Sequence, residues 1–207
     1  MSNRIIGFDI DDTITDGDAY CDELLNEFLI HQKGLSPYRG PIRTDKYPLE
    51  ERYPGLEPAL IKEFNTFWFP RMVNSVPVRD GVHDLFNALI NEGYKIHIIT
   101  RRDRDYTKSA YTGTMMVENT FAWFNKNHLK FDRITFSAFD KLDVCKKHNV
   151  DVLVEDSPAN ILRVSQELPV IVPEHDYNKF LIGTNINIVK DLNPDTIIPL
   201  INRILTL

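Results

Sequence analysis

Three carboxylates and a hydroxyl follow directly on a short apolar run, in Ile5-Ile6-Gly7-Phe8-Asp9-Ile10-Asp11-Asp12-Thr13. Carboxylates crowded at the end of a strand repel one another and resist desolvation. A turn in which Asp12 or Thr13 caps the next helix is one reading of the segment. A cap, however, needs one carboxylate and not three. An oxygen cluster of this kind suits a hard cation such as Mg²⁺. Three later features share the pattern of chemistry at the end of an apolar run. Ile96-His97-Ile98-Ile99 ends in Thr100-Arg101-Arg102, which offers a hydroxyl and backbone N–H groups, or else a turn Thr beside solvated arginines. Lys141 sits just beyond the run ending at Phe136, where an ammonium could meet a phosphate, although a surface lysine is usually only solvated. Asp151–Val154 ends in Glu155-Asp156-Ser157-Pro158, where Ser157 serves as the better helix cap and leaves both carboxylates without employment.

These residues need a scaffold that brings them together. Candidate strands are Arg4–Ile10, Lys95–Thr100, Arg133–Phe136, Asp151–Glu155, Pro169–Val172 and Ile186–Val189. They are rich in Ile and Val and mostly continuous rather than alternating, as strands covered on both faces should be. Helical patterns lie between them. Val82, Leu85, Phe86, Leu89 and Ile90 fall on one helix face, with Gly93 as a stop. Ser157-Pro158 and Asn193-Pro194 both read as an N-cap followed by Pro at the first helical position. Strand-helix alternation predicts an α/β fold, a doubly wound parallel sheet with right-handed crossovers. In such sheets ligands bind at the C-terminal strand ends, so the acidic, hydroxyl and cationic residues above would converge on one edge.

The stretch 16–77 breaks the rhythm: it has no convincing strand, five prolines between Gly34 and Pro58, and helical patterns at Leu24–Leu29 and Leu60–Trp68. It is too long for a connecting loop and reads as a small helical cap inserted after the first strand. Residues 1–15 and 78–207 then form a Rossmann-like core, and 16–77 the cap.

Composition sets the outer limits. The 207 residues carry 24 Lys and Arg against 30 Asp and Glu, a net charge of −6, and 43% are hydrophobic. That supports a sizeable core and argues against a disordered chain. An acidic balance without a basic run argues against binding a nucleic-acid polymer. The two cysteines, Cys21 and Cys145, lack metal-ligand spacing and read as a reducing-compartment signature. Asp9 cuts the first apolar run short of a signal peptide, and no stretch approaches the roughly 20 residues of a membrane span. The expectation is a soluble cytoplasmic protein with no membrane partner; a homo-oligomer stays open.

The sequence resembles the haloacid-dehalogenase superfamily of aspartyl phosphotransferases. Asp9-Ile10-Asp11-Asp12-Thr13 matches its first motif, Thr100 the second, Lys141 the third and Glu155-Asp156 the acidic fourth, in order, over 4–17, 78–105 and 130–160. The insert lies where that superfamily places a cap of the first type. Gly7–Thr13, Ile98–Arg101 and Glu155–Pro158 look most like the cytosolic type C 5′(3′)-deoxyribonucleotidases and their bacterial nucleotidase relatives, although those of animals tend to carry Ser-Pro after the second-motif Thr and a paired Asp in the fourth motif. The resemblance implies a Mg²⁺-dependent phosphomonoester hydrolase acting on a small phosphorylated metabolite such as a nucleoside monophosphate. Asp9 would attack phosphorus, an instance of covalent catalysis by a carboxylate. Asp11 would act as acid and then base, its pKa raised by surrounding carboxylates. Mg²⁺ would bridge Asp9, the Asp11 carbonyl and Asp156, with Glu155 as the other claimant in the fourth motif. Thr100, Arg101 and Lys141 would hold the phosphate oxygens.

In the cap, Phe67, Trp68 and Arg71 are candidates for the rest of the substrate. Aromatic faces stack on bases, but Phe64, Phe67 and Trp68 also share the spacing of a packing face. Rival readings are a phosphatase for sugar phosphates or another metabolite, and a phosphate-binding module without catalysis. A receiver-type phosphoacceptor domain would need an Asp after the third strand, where this chain has Phe136-Ser137-Ala138-Phe139.

Overall fold

The computed structural model describes residues 4–69, 73–102 and 110–206. Six short strands form one parallel sheet: β1 Ile5–Phe8, β2 Lys95–Ile99, β3 Arg133–Thr135, β4 Val152–Val154, β5 Val170–Pro173 and β6 Ile186–Val189. Their order is β3-β2-β1-β4-β5-β6. The chain therefore winds outward from β1 in both directions, and the order reverses between β1 and β4. All six strands lie within a residue or two of the expected runs.

Alternation along each strand sorts the two faces. Ile6, Phe8, Ile96, Ile98, Val152, Val154 and Ile171 pack on one side against Val82–Asn91 (α4), Ala110–Lys126 (α5) and Pro194–Leu205 (α8). Ile99, Leu153, Val170 and Val172 pack on the other against Lys141–Lys147 (α6) and Pro158–Val164 (α7). Gly7 belongs to this second face. A Cβ there would stand 3.0 Å from side-chain atoms of Leu153 and Val150, so the central strand accepts close neighbours only because it has none. In α4 the expected face is buried except at Ile90, which lies at its edge and is 39% exposed. Gly93 takes φ 85°, the left-handed conformation that ends the helix.

The insert has a core of its own. Gly17–Glu27 (α1) runs on as a π-turn through Gln32; Leu49–Arg52 (α2) and Pro58–Glu63 (α3) follow, α3 continuing as a π-turn to Trp68. Leu24, Leu25, Phe28, Leu29, Tyr53, Ile61 and Phe64 cluster among these elements. Where the chain leaves and re-enters the sheet layer, Thr15 and Val78 form an antiparallel bridge. Asp16 N–H donates to the Pro77 carbonyl at 2.9 Å, and Arg79 N–H to that of Ile14 at 3.0 Å. No helix among the described residues is long and apolar enough to cross a membrane.

His97 is a polar exception inside β2. It is 2% exposed, its Nε2 lies 2.8 Å from Thr135 Oγ1, and its ring meets His148 edge-on at 5.0 Å. Burial first, then His148 and Arg133, lower its pKa to about 4. The folded chain keeps His97 neutral where the unfolded chain takes up a proton near pH 6.5, so stability is lost as pH falls from about 6.5 to about 4. The loss should reach about 2 kcal/mol by pH 5. Urea unfolding of the wild type and His97→Gln at pH 7.5 and pH 5 checks this: the substitution should flatten the difference, and an equal pH effect in both would contradict it.

Candidate active site

Because the sheet is parallel, its C-terminal strand ends share one edge, and the first residue past each end continues the ladder. Asp9 N–H donates to the Val154 carbonyl at 3.0 Å, Thr100 N–H to that of Thr135 at 3.0 Å and Glu155 N–H to that of Ile171 at 3.1 Å. These bonds set Asp9, Thr100 and Glu155 side by side at the point where strand order reverses. The chain then turns on the Ile10 carbonyl, which accepts from the backbone N–H groups of Thr13, Ile14 and Thr15. Asp12 takes φ 58° in that turn, a conformation Asp tolerates better than most residues. Its carbonyl accepts from Arg79 Nη2 at 2.7 Å, and His175 Nε2 stands 2.8 Å from the same oxygen.

Lys141, the first residue of α6, is 2% exposed and lies between two carboxylates: its Nζ is 2.7 Å from Asp9 Oδ1 and 2.6 Å from Glu155 Oε2. The other Glu155 oxygen accepts from Ser157 N–H at 3.0 Å and from Asn160 at 3.3 Å. Asp156 accepts from Thr13 Oγ1 at 2.9 Å and from the Tyr177 hydroxyl at 2.8 Å. Asp9, Glu155 and Asp156 can each direct a carboxylate oxygen to within 4.8 Å of the others. One ammonium among three ionised carboxylates leaves two negative charges uncompensated in a buried space. Burial raises the pKa of Asp9, with Glu155 and Asp11 adding to it against Lys141. Asp156 is raised by burial and then by Asp9. Burial alone would lower Lys141, but Asp9 and Glu155 outweigh it and keep the ammonium charged. A buried, all-oxygen donor set short of two positive charges fits a hard divalent cation.

Asp11 faces elsewhere. Arg102 grips it through Nε at 3.0 Å and Nη2 at 2.6 Å, while Arg102 Nη1 donates to Thr120 Oγ1 at 3.0 Å. A cavity of about 560 Å³ opens beside Asp11 and Asp12, lined from the insert by Tyr47, Asn65 and Phe69 and from the sheet layer by Arg101 and Tyr177. Tyr47 as a residue is 45% exposed, yet its phenol is pushed well above its usual value, by burial and then by the Asp156 carboxylate.

This arrangement has counterparts. A haloacid-dehalogenase-like hydrolase, SP0104 of Streptococcus pneumoniae, superposes with a TM-score of 0.61 over 95% of this chain and 97% of its own, at 15% identity. CbbY of Rhodobacter sphaeroides, solved with phosphate, does so with a TM-score of 0.55 over 92% and 95%, at 17% identity. The chain has the haloacid-dehalogenase fold. A mutant of CbbY was solved with xylulose-(1,5)bisphosphate, again with a similar TM-score of 0.54. In sequence, "Putative nucleotidase YqfW" of Bacillus subtilis (strain 168) is 29% identical over 101 residues. That match spans 47% of this chain and 47% of the relative, about half the length of each. No family model matches the chain.

Within the haloacid-dehalogenase fold, the sequence candidates divide into those the edge gathers and those it does not. Asp9, Asp11, Thr100, Lys141, Glu155 and Asp156 meet there, with exposed Arg101 at the cavity wall. Four expectations need correction. Asp11, expected to have only carboxylates around it, is paired with the Arg102 guanidinium. Arg102, read as solvated, is buried and committed to Asp11 and Thr120. The Ser157 side chain makes no capping bond, and Glu155 receives its N–H instead. Trp68 packs on the insert's own core, 6.3 Å from the Phe28 ring, while its neighbour Phe69 reaches the cavity. Arg71 lies outside the described residues, and for Phe67 only the backbone is described. Sequence reasoning passed over Tyr47, His175, Tyr177 and Asn178. The last three had a signal: they follow β5, whose tip had to fall on the same edge.

Proposed function

We propose that the protein hydrolyses phosphomonoesters through a phosphoryl group held covalently on Asp9, with nucleoside monophosphates as its substrates. The observation that carries the reading is Lys141 between Asp9 and Glu155, with Asp156 beside them, at the switch point of the sheet. Asp9 and Asp156, with the Asp11 carbonyl, would hold Mg²⁺, while Glu155 serves chiefly to anchor Lys141. Bound there, the cation would supply the missing positive charge and polarise the phosphoryl oxygens.

The residues then divide the work. A carboxylate oxygen of Asp9 attacks phosphorus, and the bond from phosphorus to the ester oxygen breaks. Asp11 gives the departing alkoxide its proton. It next takes a proton from water, whose oxygen attacks the same phosphorus; the Asp9–phosphorus bond breaks and inorganic phosphate leaves. Arg102 aims the Asp11 carboxylate with two bonds, which fixes its plane for both proton transfers. The Thr100 hydroxyl, the Arg101 N–H and the Lys141 ammonium hold the equatorial oxygens, where transition-state charge gathers.

Two observations favour a nucleoside as the leaving group: a cavity of about 560 Å³ with Tyr47, Phe69 and Tyr177 on its walls, and the partial match to a protein called a nucleotidase. A pocket of that size takes a ligand larger than phosphate alone. The bisphosphate held by the CbbY mutant favours a sugar phosphate as the second reading. Phosphate release with Mg²⁺ across 5′- and 3′-deoxyribonucleotides, ribonucleotides and sugar phosphates decides between them. Preference for nucleotides supports the proposal, sugar phosphates alone support the second reading, and no turnover of any ester overturns both.

A further inference from the structure

Asp156 is held from a direction that the four sequence motifs do not include. Its Oδ1 is bonded by Thr13, from the first motif, but its Oδ2 receives the hydroxyl of Tyr177, which lies 21 positions further along the chain. The segment His175–Asn178, just past β5, holds Asp156 by its backbone as well. Asn178 is fully buried; its Nδ2 donates to the Asp156 carbonyl and to the Pro173 carbonyl at 3.0 Å each, and its Oδ1 accepts from His175 N–H at 2.8 Å. The Tyr177 ring stacks on His175 with centroids 4.8 Å apart and planes within 10°. The insert reaches the same segment: Tyr47 meets the Tyr177 ring edge-on at 5.3 Å, and Thr44 Oγ1 donates to Asp176 Oδ2 at 2.7 Å.

We infer that Tyr177 is a positioning residue for Asp156 as a divalent-cation ligand, and that the insert braces it there through Tyr47 and Thr44. The inference rests on the proposal that Asp156 holds the cation. A carboxylate with one oxygen tied to a phenol and the other to a threonine has a fixed plane and rotamer. Mg²⁺ demands near-ideal geometry from its ligands, so a carboxylate left to rotate binds it less well. Partners that orient a ligand typically change metal affinity or activity by about 10- to 100-fold when removed.

Tyr177→Phe deletes the hydroxyl and keeps the ring that stacks on His175 and meets Tyr47. The test is calorimetric titration of the full chain, without substrate, using Mg²⁺ and then Mn²⁺, for the wild type, Tyr177→Phe and Tyr47→Ala. Cation affinity should fall about 10- to 100-fold in Tyr177→Phe, and by less in Tyr47→Ala, in cation-free chains that still unfold cooperatively. Turnover by Tyr177→Phe should recover at high Mg²⁺. Affinity within about twofold of wild type in Tyr177→Phe overturns the inference while leaving the proposed function intact. A wild type that takes up neither cation overturns both.

Discussion

Asp9→Asn should lower phosphate release from any phosphomonoester by at least about 10⁴-fold, the scale on which an enzyme loses its nucleophile. The amide keeps the shape of the side chain and its place beside Lys141, but it cannot attack phosphorus to form an acyl phosphate. The fold should survive. Asp9 is a buried carboxylate whose ionised form is disfavoured by burial and by Glu155 and Asp11, and loss of its charge relieves that crowding even as it weakens the pairing with Lys141. Without added cation, the variant should therefore unfold within about 1 kcal/mol of the wild type. Phosphate-release assays with urea unfolding of the same preparations check both halves. Retained turnover would remove Asp9 from the role of nucleophile, and a collapsed fold would mean that the charge at position 9 is structural.

Lys141→Met is expected to damage both stability and turnover. The ammonium is within 2.7 Å of both Asp9 and Glu155, and its side chain is 1% exposed. A thioether of similar length leaves those carboxylates buried with no cation between them. Breaking a buried pair from one side costs about 3–5 kcal/mol, much of it as the uncompensated charge left behind. Loss of one charged contact to the transferring phosphoryl oxygens should separately lower kcat by about 10²- to 10³-fold. The two effects can be parted by adding Glu155→Gln. The double variant has one fewer orphaned carboxylate and should regain part of the stability, yet it should remain as inactive as Lys141→Met. Stability and activity returning together would show that Lys141 serves the fold alone.

The sheet was legible because its central strands are buried and so appear as mostly continuous runs rich in Ile and Val. The acidic and cationic positions were legible for a related reason: a parallel sheet sends every strand tip to one edge, so Asp9, Thr100 and Glu155 had to meet. What could not be read from spacing was the pairing of charges across that edge. Arg101 and Arg102 are adjacent and chemically identical, yet Arg101 opens onto the cavity and Arg102 turns inward to Asp11. Which arginine does which depends on Thr120, an acceptor on α5 that local sequence cannot place. The insert was harder still. Phe64 and Trp68 keep the spacing of a packing face and pack accordingly. The aromatic that reaches toward the carboxylates is Tyr47, from an irregular stretch, and the nearby bond from Thr44 to Asp176 spans 132 positions.

The central claim is that the phosphoryl group passes through Asp9, and chemical trapping reads it directly. An Asp11→Asn chain given p-nitrophenyl phosphate and Mg²⁺ should accumulate the intermediate, because this leaving group departs without a proton while the water that must follow lacks its base. After acid quench and proteolysis, mass spectrometry should find one phosphoryl group on the peptide bearing Asp9, and none when Asp9→Asn is added. Nitrophenol released with no phosphoryl group on that peptide, or with one on a different residue, would contradict the account.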